Sequence, residues 1–227
     1  MITKINTSSE AIADSSGASY IGSSGIYDIT INFASVDVAD SGAERVNFNV
    51  TYNGNIQTIY GPWVQGKNGQ PIESGLKLIQ KISAIAGLST GDELTLDTET
   101  HNVGKDNKPR DFTVITDFTD LECKMRVQES YSKYNGEIRK AMIPRSFFAA
   151  NGASAEELIK QANGEDVEIG KRLAYETEKL ASNVTYEDDL TPADIEAWYE
   201  AKKSGNSSAA KPAPKASVKP AKGGLFS

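Results

Sequence analysis

The chain has 227 residues, 38% hydrophobic and 24% charged, with a formal net charge of -7. That is enough for one core of ordinary domain size with appendages, and it argues against a second full domain. No apolar run approaches the roughly 18 residues of a membrane span, residues 1–17 lack the apolar centre of a secretory signal, and the single cysteine, Cys123, excludes an intrachain disulfide or a cysteine zinc site. An intracellular, reducing compartment is the expectation.

The charge is segregated. Residues 149–201 carry 13 acidic and 4 basic side chains, whereas Lys202, Lys203, Lys211, Lys215, Lys219 and Lys222 follow Glu200 with no acid among them. An acidic total is a poor basis for nucleic-acid binding, so any such reading rests on local clusters of Lys and Arg.

In chain order, residues 1–19 are rich in Ser, Ala and Gly and read as a flexible arm. Tyr27, Ile29, Ile31 and Phe33 alternate with polar residues, the period of a half-buried strand. After a turn at Asp40-Ser41-Gly42, Val46, Phe48, Val50 and Tyr52 alternate again, and Asn53-Gly54 supplies a two-residue hairpin turn into a strand over 56–60. Gly61-Pro62 breaks that strand before a Gly-rich loop. Leu76, Ile79, Ile82 and Ala86, beside Leu78 and Ile85, then give a helix with a wide apolar face, with Ser74 as N-cap and Gly87 at the left-handed end.

Beyond the helix the pattern predicts a short strand over 93–100, a polar loop over 101–111, a strand over 112–118, and a hairpin of Leu121–Val127 and Ile138–Phe148 around Asn135-Gly136. From Ala149 the texture is helical: a capping box at Ser154, an amphipathic segment over 167–180, and Thr191-Pro192-Ala193-Asp194 opening a helix that ends near Lys203. The expected organisation is an arm (1–19), a β-domain (20–148), an acidic helical annex (149–203) and a disordered Lys/Pro/Ala-rich tail (204–227).

Catalytic constellations are absent from this pattern. His101, the single histidine, has no second histidine or cysteine with which to share a metal and reads as a solvated loop residue. The glycines at 66, 69 and 75 have the spacing of neither phosphate-loop motif, and Asp188-Asp189 reads as a solubilising cluster rather than a cation site. Neither an enzyme nor a cofactor is expected.

Hairpins closing a barrel around one mid-chain helix describe an OB-fold-like, mainly β domain, with the strands through Phe118 completing the minimal fold and the Asn135-Gly136 hairpin as an extra. Single-strand binding needs aromatic faces for stacking, interleaved with cations for phosphates. Three clusters qualify: Tyr52, Tyr60, Trp63 and Lys67; then Lys105, Lys108, Arg110 and Phe112; then Lys124, Arg126, Tyr131, Lys133, Tyr134, Arg139 and Lys140.

Gly25-x-Tyr27 leading into a strand, a Phe/Val strand ending in Tyr52-Asn53-Gly54, Tyr60-Gly61-Pro62, a Gly-rich loop, Glu73-Ser74-Gly75 and a helix ending Ala84-Ile85-Ala86-Gly87-Leu88 together resemble single-stranded DNA-binding proteins encoded by tailed bacteriophages, over residues 20–148. The resemblance implies an OB-fold protein that coats single strands during phage replication or recombination in the cytoplasm of an infected bacterial host, with no cofactor and no catalysis. Members of that family commonly end in an acidic tail with a terminal aromatic that recruits replication partners. Here the acidic part is the annex around Tyr186-Glu187-Asp188-Asp189 and the tail is basic before Leu225-Phe226, so partner recruitment is expected at the annex or the C-terminal tip. The alternative is a non-enzymatic phage interaction or virion-associated β-protein whose acidic annex binds a basic partner.

Overall fold

The computed structural model describes residues 20–204 apart from 90, 105 and 106, so the expected arm and tail lie outside the described residues. One sheet of nine strands dominates. Its strands are β1 (Gly25–Val38), β2 (Glu44–Tyr52), β3 (Asn55–Ile59), β4 (Trp63–Gln65), β5 (Leu96–Val103), β6 (Lys108–Ile115), β7 (Leu121–Tyr134), β8 (Glu137–Ala149) and β9 (Val184–Tyr186). All pairings are antiparallel except that of β9 with β7. The helices are α1 (Glu73–Ile85), α2 (Ala155–Ala162), α3 (Lys171–Lys179) and α4 (Pro192–Lys203).

β1 organises the sheet. It pairs with β2 along one edge; along the other, Gly25–Ile31 pair with β7 and Ala34–Val36 with β6. The curled sheet is OB-fold-like: β1, β2 and β3 are followed by α1, β7 returns to β1, and β8 approaches β3 without a ladder between them, leaving a partly open barrel. The ring of Phe147 on β8 meets Phe48 on β2 at 5.1 Å across the interior. The strand count from sequence is therefore corrected. β7 and β8, around Asn135-Gly136, are the fourth and fifth barrel strands, and the β5–β6 hairpin is the addition.

The two Asn-Gly turns fold as their chemistry requires, with φ of 46° and 77° at Asn53-Gly54 and 52° and 81° at Asn135-Gly136. Helix α1 buries Gly75, Leu78, Ile79 and Ile82 against Ile31, Val46, Phe48, Ile115 and Met125. It begins one residue before the expected Ser74 cap, with Ile72 at the N-cap and no side-chain cap, and Leu76 is exposed rather than in the apolar face. Two glycines let backbone segments meet here. A Cβ on Gly61 would lie 1.9 Å from the Val46 carbonyl oxygen, and one on Gly75 2.0 Å from that of Trp63. Gly61→Ala is accordingly expected to cost about 3 kcal/mol in urea unfolding, because backbone must shift to admit the methyl.

β1 carries the feature that shapes the surface opposite the core. Register slips between Ile31, opposite Val50, and Phe33, opposite Asn49, so Asn32 is an extra, bulged residue. Its side chain donates to Asn49 Oδ1 at 2.8 Å and accepts from Thr51 Oγ1 at 2.9 Å, which fixes the bulge. Alternation restarts there. Ile29 and Ile31, then Ala34 and Val36, face the core, and Phe33 turns to the opposite side instead of continuing the apolar face.

The annex is built onto this sheet. The capping box at Ser154/Glu157 and the Thr191 N-cap form as expected, and Asp194 turns the second into a capping box as well. Burial by itself would raise the Glu157 carboxyl, but backbone N–H groups of Arg172, Ser154 and Gly170 more than offset it and hold the group below the usual carboxylate range. β9, unforeseen in the sequence, takes the edge of β7 beyond the point where β1 leaves it. A second small core of Tyr131, Leu190 and Ile195, with Trp198 against it, seats α4.

Candidate nucleic-acid interface

Residues directly opposed in a ladder share a face, so the register maps the surface opposite the core. β4 contributes Trp63; β2 contributes Arg45, Asn47, Asn49 and Thr51; β1 contributes Phe33, Ser35 and Asp37. Val114, Phe112 and Arg110 follow from β6, and Asp97, Glu99 and His101 from β5. Ser35, Asn47 and Asn49 are buried and floor this open face with polar groups.

Two aromatic–cation groups stand on it. In the first, the Arg45 guanidinium lies 4.6 Å from the Tyr60 ring centre and 5.3 Å from that of Trp63, the two residues being 59% and 41% exposed. Asp37 holds Arg45 at 2.6 Å. Lys67 is exposed in the turn just after β4. In the second, the His101 ring lies flat on Phe33, 3.9 Å between centres and 12° between planes, with Phe112 tilted against Phe33 at 5.3 Å. Lys108 and Arg110 are exposed on the adjoining strand. Lys105 lies outside the described residues.

His101 corrects the sequence reading. The strands of the β5–β6 hairpin run further than expected, Leu96–Val103 and Lys108–Ile115, and carry His101 out of the predicted loop into a strand. Its Nε2 sits 2.7 Å from Glu99 Oε2. Phe33, Arg45 and His101 were all missed as site residues. Arg45 was legible, since it heads a polar alternation with Asn47, Asn49 and Thr51; Phe33 was not, because its facing depends on the bulge.

The other expected residues divide. Tyr52 is half-buried on the core side, packed edge-on against Tyr27 at 5.1 Å. Lys124 is on the open face but pairs with Asp28 across the ladder. Arg126 is 11% exposed and donates from Nε to Glu176 of α3 at 2.6 Å; Glu176 is 3% exposed and also accepts from Arg172 at 2.8 Å. Tyr131 is buried between Tyr186 and Trp198, with burial and then its bond to Tyr199 raising its hydroxyl far above the ordinary range. Lys140 is held by Glu129 at 2.5 Å. Lys133 is exposed beside the hairpin tip, its backbone N–H donating to Asp188. At the tip itself, Tyr134 is 55% exposed with the Arg139 guanidinium 4.1 Å over its ring. The third cluster thus reduces to Tyr134, Arg139 and Lys133, because the annex and neighbouring carboxylates hold the rest.

Among the described residues no group of three or more His, Cys, Asp or Glu is placed to hold a metal ion, and no helix is long and apolar enough to cross a membrane. Cys123 is buried against the core, and burial, reinforced by Asp28, pushes its thiol up to about 12, which makes it inert as a nucleophile. The chain matches no protein-family model and no curated protein sequence.

Proposed function

We propose that this protein binds single-stranded DNA without sequence specificity, on the face of the sheet opposite the core, and that it acts in phage DNA replication or recombination. The observation that carries the reading is the pair of aromatic–cation groups on the side of the sheet opposite the core: Tyr60, Arg45 and Trp63 on β2–β4, and His101 and Phe112, with Arg110 beside them, packed over the buried Phe33. Rings offer π-faces to any base, and the neighbouring cations attract the phosphates between them. Strands 2–3 and the turn between the last two barrel strands are where OB-folds meet oligonucleotides, and here those positions carry Arg45, Asn49 and Thr51 and the Tyr134/Arg139 tip. The family resemblance over residues 20–148 supports the same reading.

A second reading has one observation in its favour. Residues 149–201 carry 13 acidic and 4 basic side chains, an excess suited to a basic protein partner, although the cleft between α2 and α3 sets Lys81, Lys160, Lys171 and Arg172 beside Glu156, Glu157, Glu165, Asp166 and Glu168. Chromatography on single-stranded DNA cellulose separates the two. Retention at about 50 mM salt with elution on a rising gradient is expected, since phosphate contacts release counterions and weaken steeply with salt. Passage straight through at low salt would leave the acidic annex as the better account.

A further inference from the structure

We infer that His101 is a base-stacking residue whose protonation sets the affinity of the open face for single-stranded nucleic acid, an inference that rests on the single-strand reading above. The ring is already arranged for that task. It lies parallel on Phe33 at 3.9 Å, so one π-face is taken and a base can reach only the other. Glu99 Oε2, 2.7 Å from Nε2, fixes its rotation, and the side chain stays 29% exposed. A base placed on that outer face becomes the third layer of a stack whose lower two layers are preorganised, so little side-chain freedom is lost on binding.

Among the described residues, the charged groups that the ladder and hydrogen bonds place beside His101 are Glu99 on its own strand and Arg110 directly opposite on β6; from β1 and the rest of β6 it meets the rings of Phe33 and Phe112. A phosphate brought to this spot adds negative charge beside the imidazole, which favours the protonated form. The bound state therefore holds more proton than the free state, and affinity rises as pH falls. An imidazolium under a base also gains cation–π attraction. His101 is the single histidine of the chain. The α-amino group also titrates near neutral pH, so the comparison with His101→Gln, and not the wild-type profile alone, isolates the ring.

The test uses the full chain and a dye-labelled oligo-dT whose dye does not titrate, with anisotropy read at pH 5.5, 6.5 and 8.0 and constant ionic strength. Wild type is expected to bind roughly tenfold more tightly at pH 5.5 than at pH 8.0, one pKa unit of linkage being a tenfold change. His101→Gln should flatten that profile and weaken binding at every pH. His101→Phe should flatten it too, yet keep the pH 8.0 affinity within about threefold of wild type, since stacking survives. An independent readout on unaltered protein is the His101 Cε1–H proton resonance, which should move on addition of oligo-dT through the ring current of the stacked base. A His101→Gln variant with the wild-type pH profile, or a resonance that does not move while DNA is bound, overturns the inference and leaves single-strand binding standing. Absence of binding by wild type at every pH overturns both.

Discussion

Trp63→Ala combined with Arg45→Ala is expected to weaken oligo-dT binding by one to two orders of magnitude while leaving the fold intact. Trp63 is 41% exposed and Arg45 bridges it to Tyr60, so the pair supplies one stacking platform and the cation beside it. Base–aromatic stacking is worth about 1–3 kcal/mol per base, a factor of roughly 5 to 150 in affinity. Loss of Arg45 also removes its bridge to Asp37, but that pair is partly exposed on both sides and contributes at most about 1 kcal/mol to stability. Salt titration separates the two parts: Arg45→Ala should flatten the salt dependence by about one counterion, whereas Trp63→Ala should shift affinity at every salt. Affinity unchanged in the double variant would remove this face from the account.

Arg126→Ala is expected to behave in the opposite way, costing about 3 kcal/mol of stability with little change in the affinity of the folded protein. Its guanidinium joins β7 to α3 through Glu176, a carboxylate 3% exposed that also accepts from Ser146. Removing one partner of a buried pair strands the other charge, at about 3–5 kcal/mol; Arg172, still 2.8 Å from Glu176, places the effect near the lower end. Urea unfolding measures the loss, and the double variant Arg126→Leu/Glu176→Leu should recover much of it, since no buried charge is left unpaired. Wild-type stability for Arg126→Ala, together with weakened DNA binding, would return this arginine to the interface where its strand position first suggested it belonged.

The contrast between these two residues shows what the sequence could convey. Trp63 stood beside Gly61-Pro62 and a Gly-rich loop, local signals that a ring would be left at the surface, and it is. Arg126 shared the polar face of its strand with Lys124 and read as a solvent cation. What covers it is a helix fifty residues away, and no local pattern reports a partner at that distance. The Asn-Gly hairpins, the apolar face of α1 and the capped annex helices were legible because each is decided within a few residues. The bulge at Asn32 was not, for it depends on hydrogen bonds to Asn49 and Thr51 across the ladder. Without the bulge, Phe33 counts as core and the surface that His101 completes does not exist. The strand count failed for a related reason, since hairpins look alike in sequence and only their pairing with β1 says which belong to the barrel.

The measurement that bears most directly on single-strand binding is a tryptophan fluorescence titration of the Trp198→Phe variant, which leaves Trp63 as the sole reporter of the two tryptophans. Oligo-dT and a duplex of equal length would be added at low and moderate salt. The account predicts saturable quenching by oligo-dT that weakens as salt rises, with a much smaller response to duplex. No response to oligo-dT at low salt, with no shifted band in a gel, would contradict it, and equal quenching by duplex would contradict its claim that exposed bases are what the open face holds.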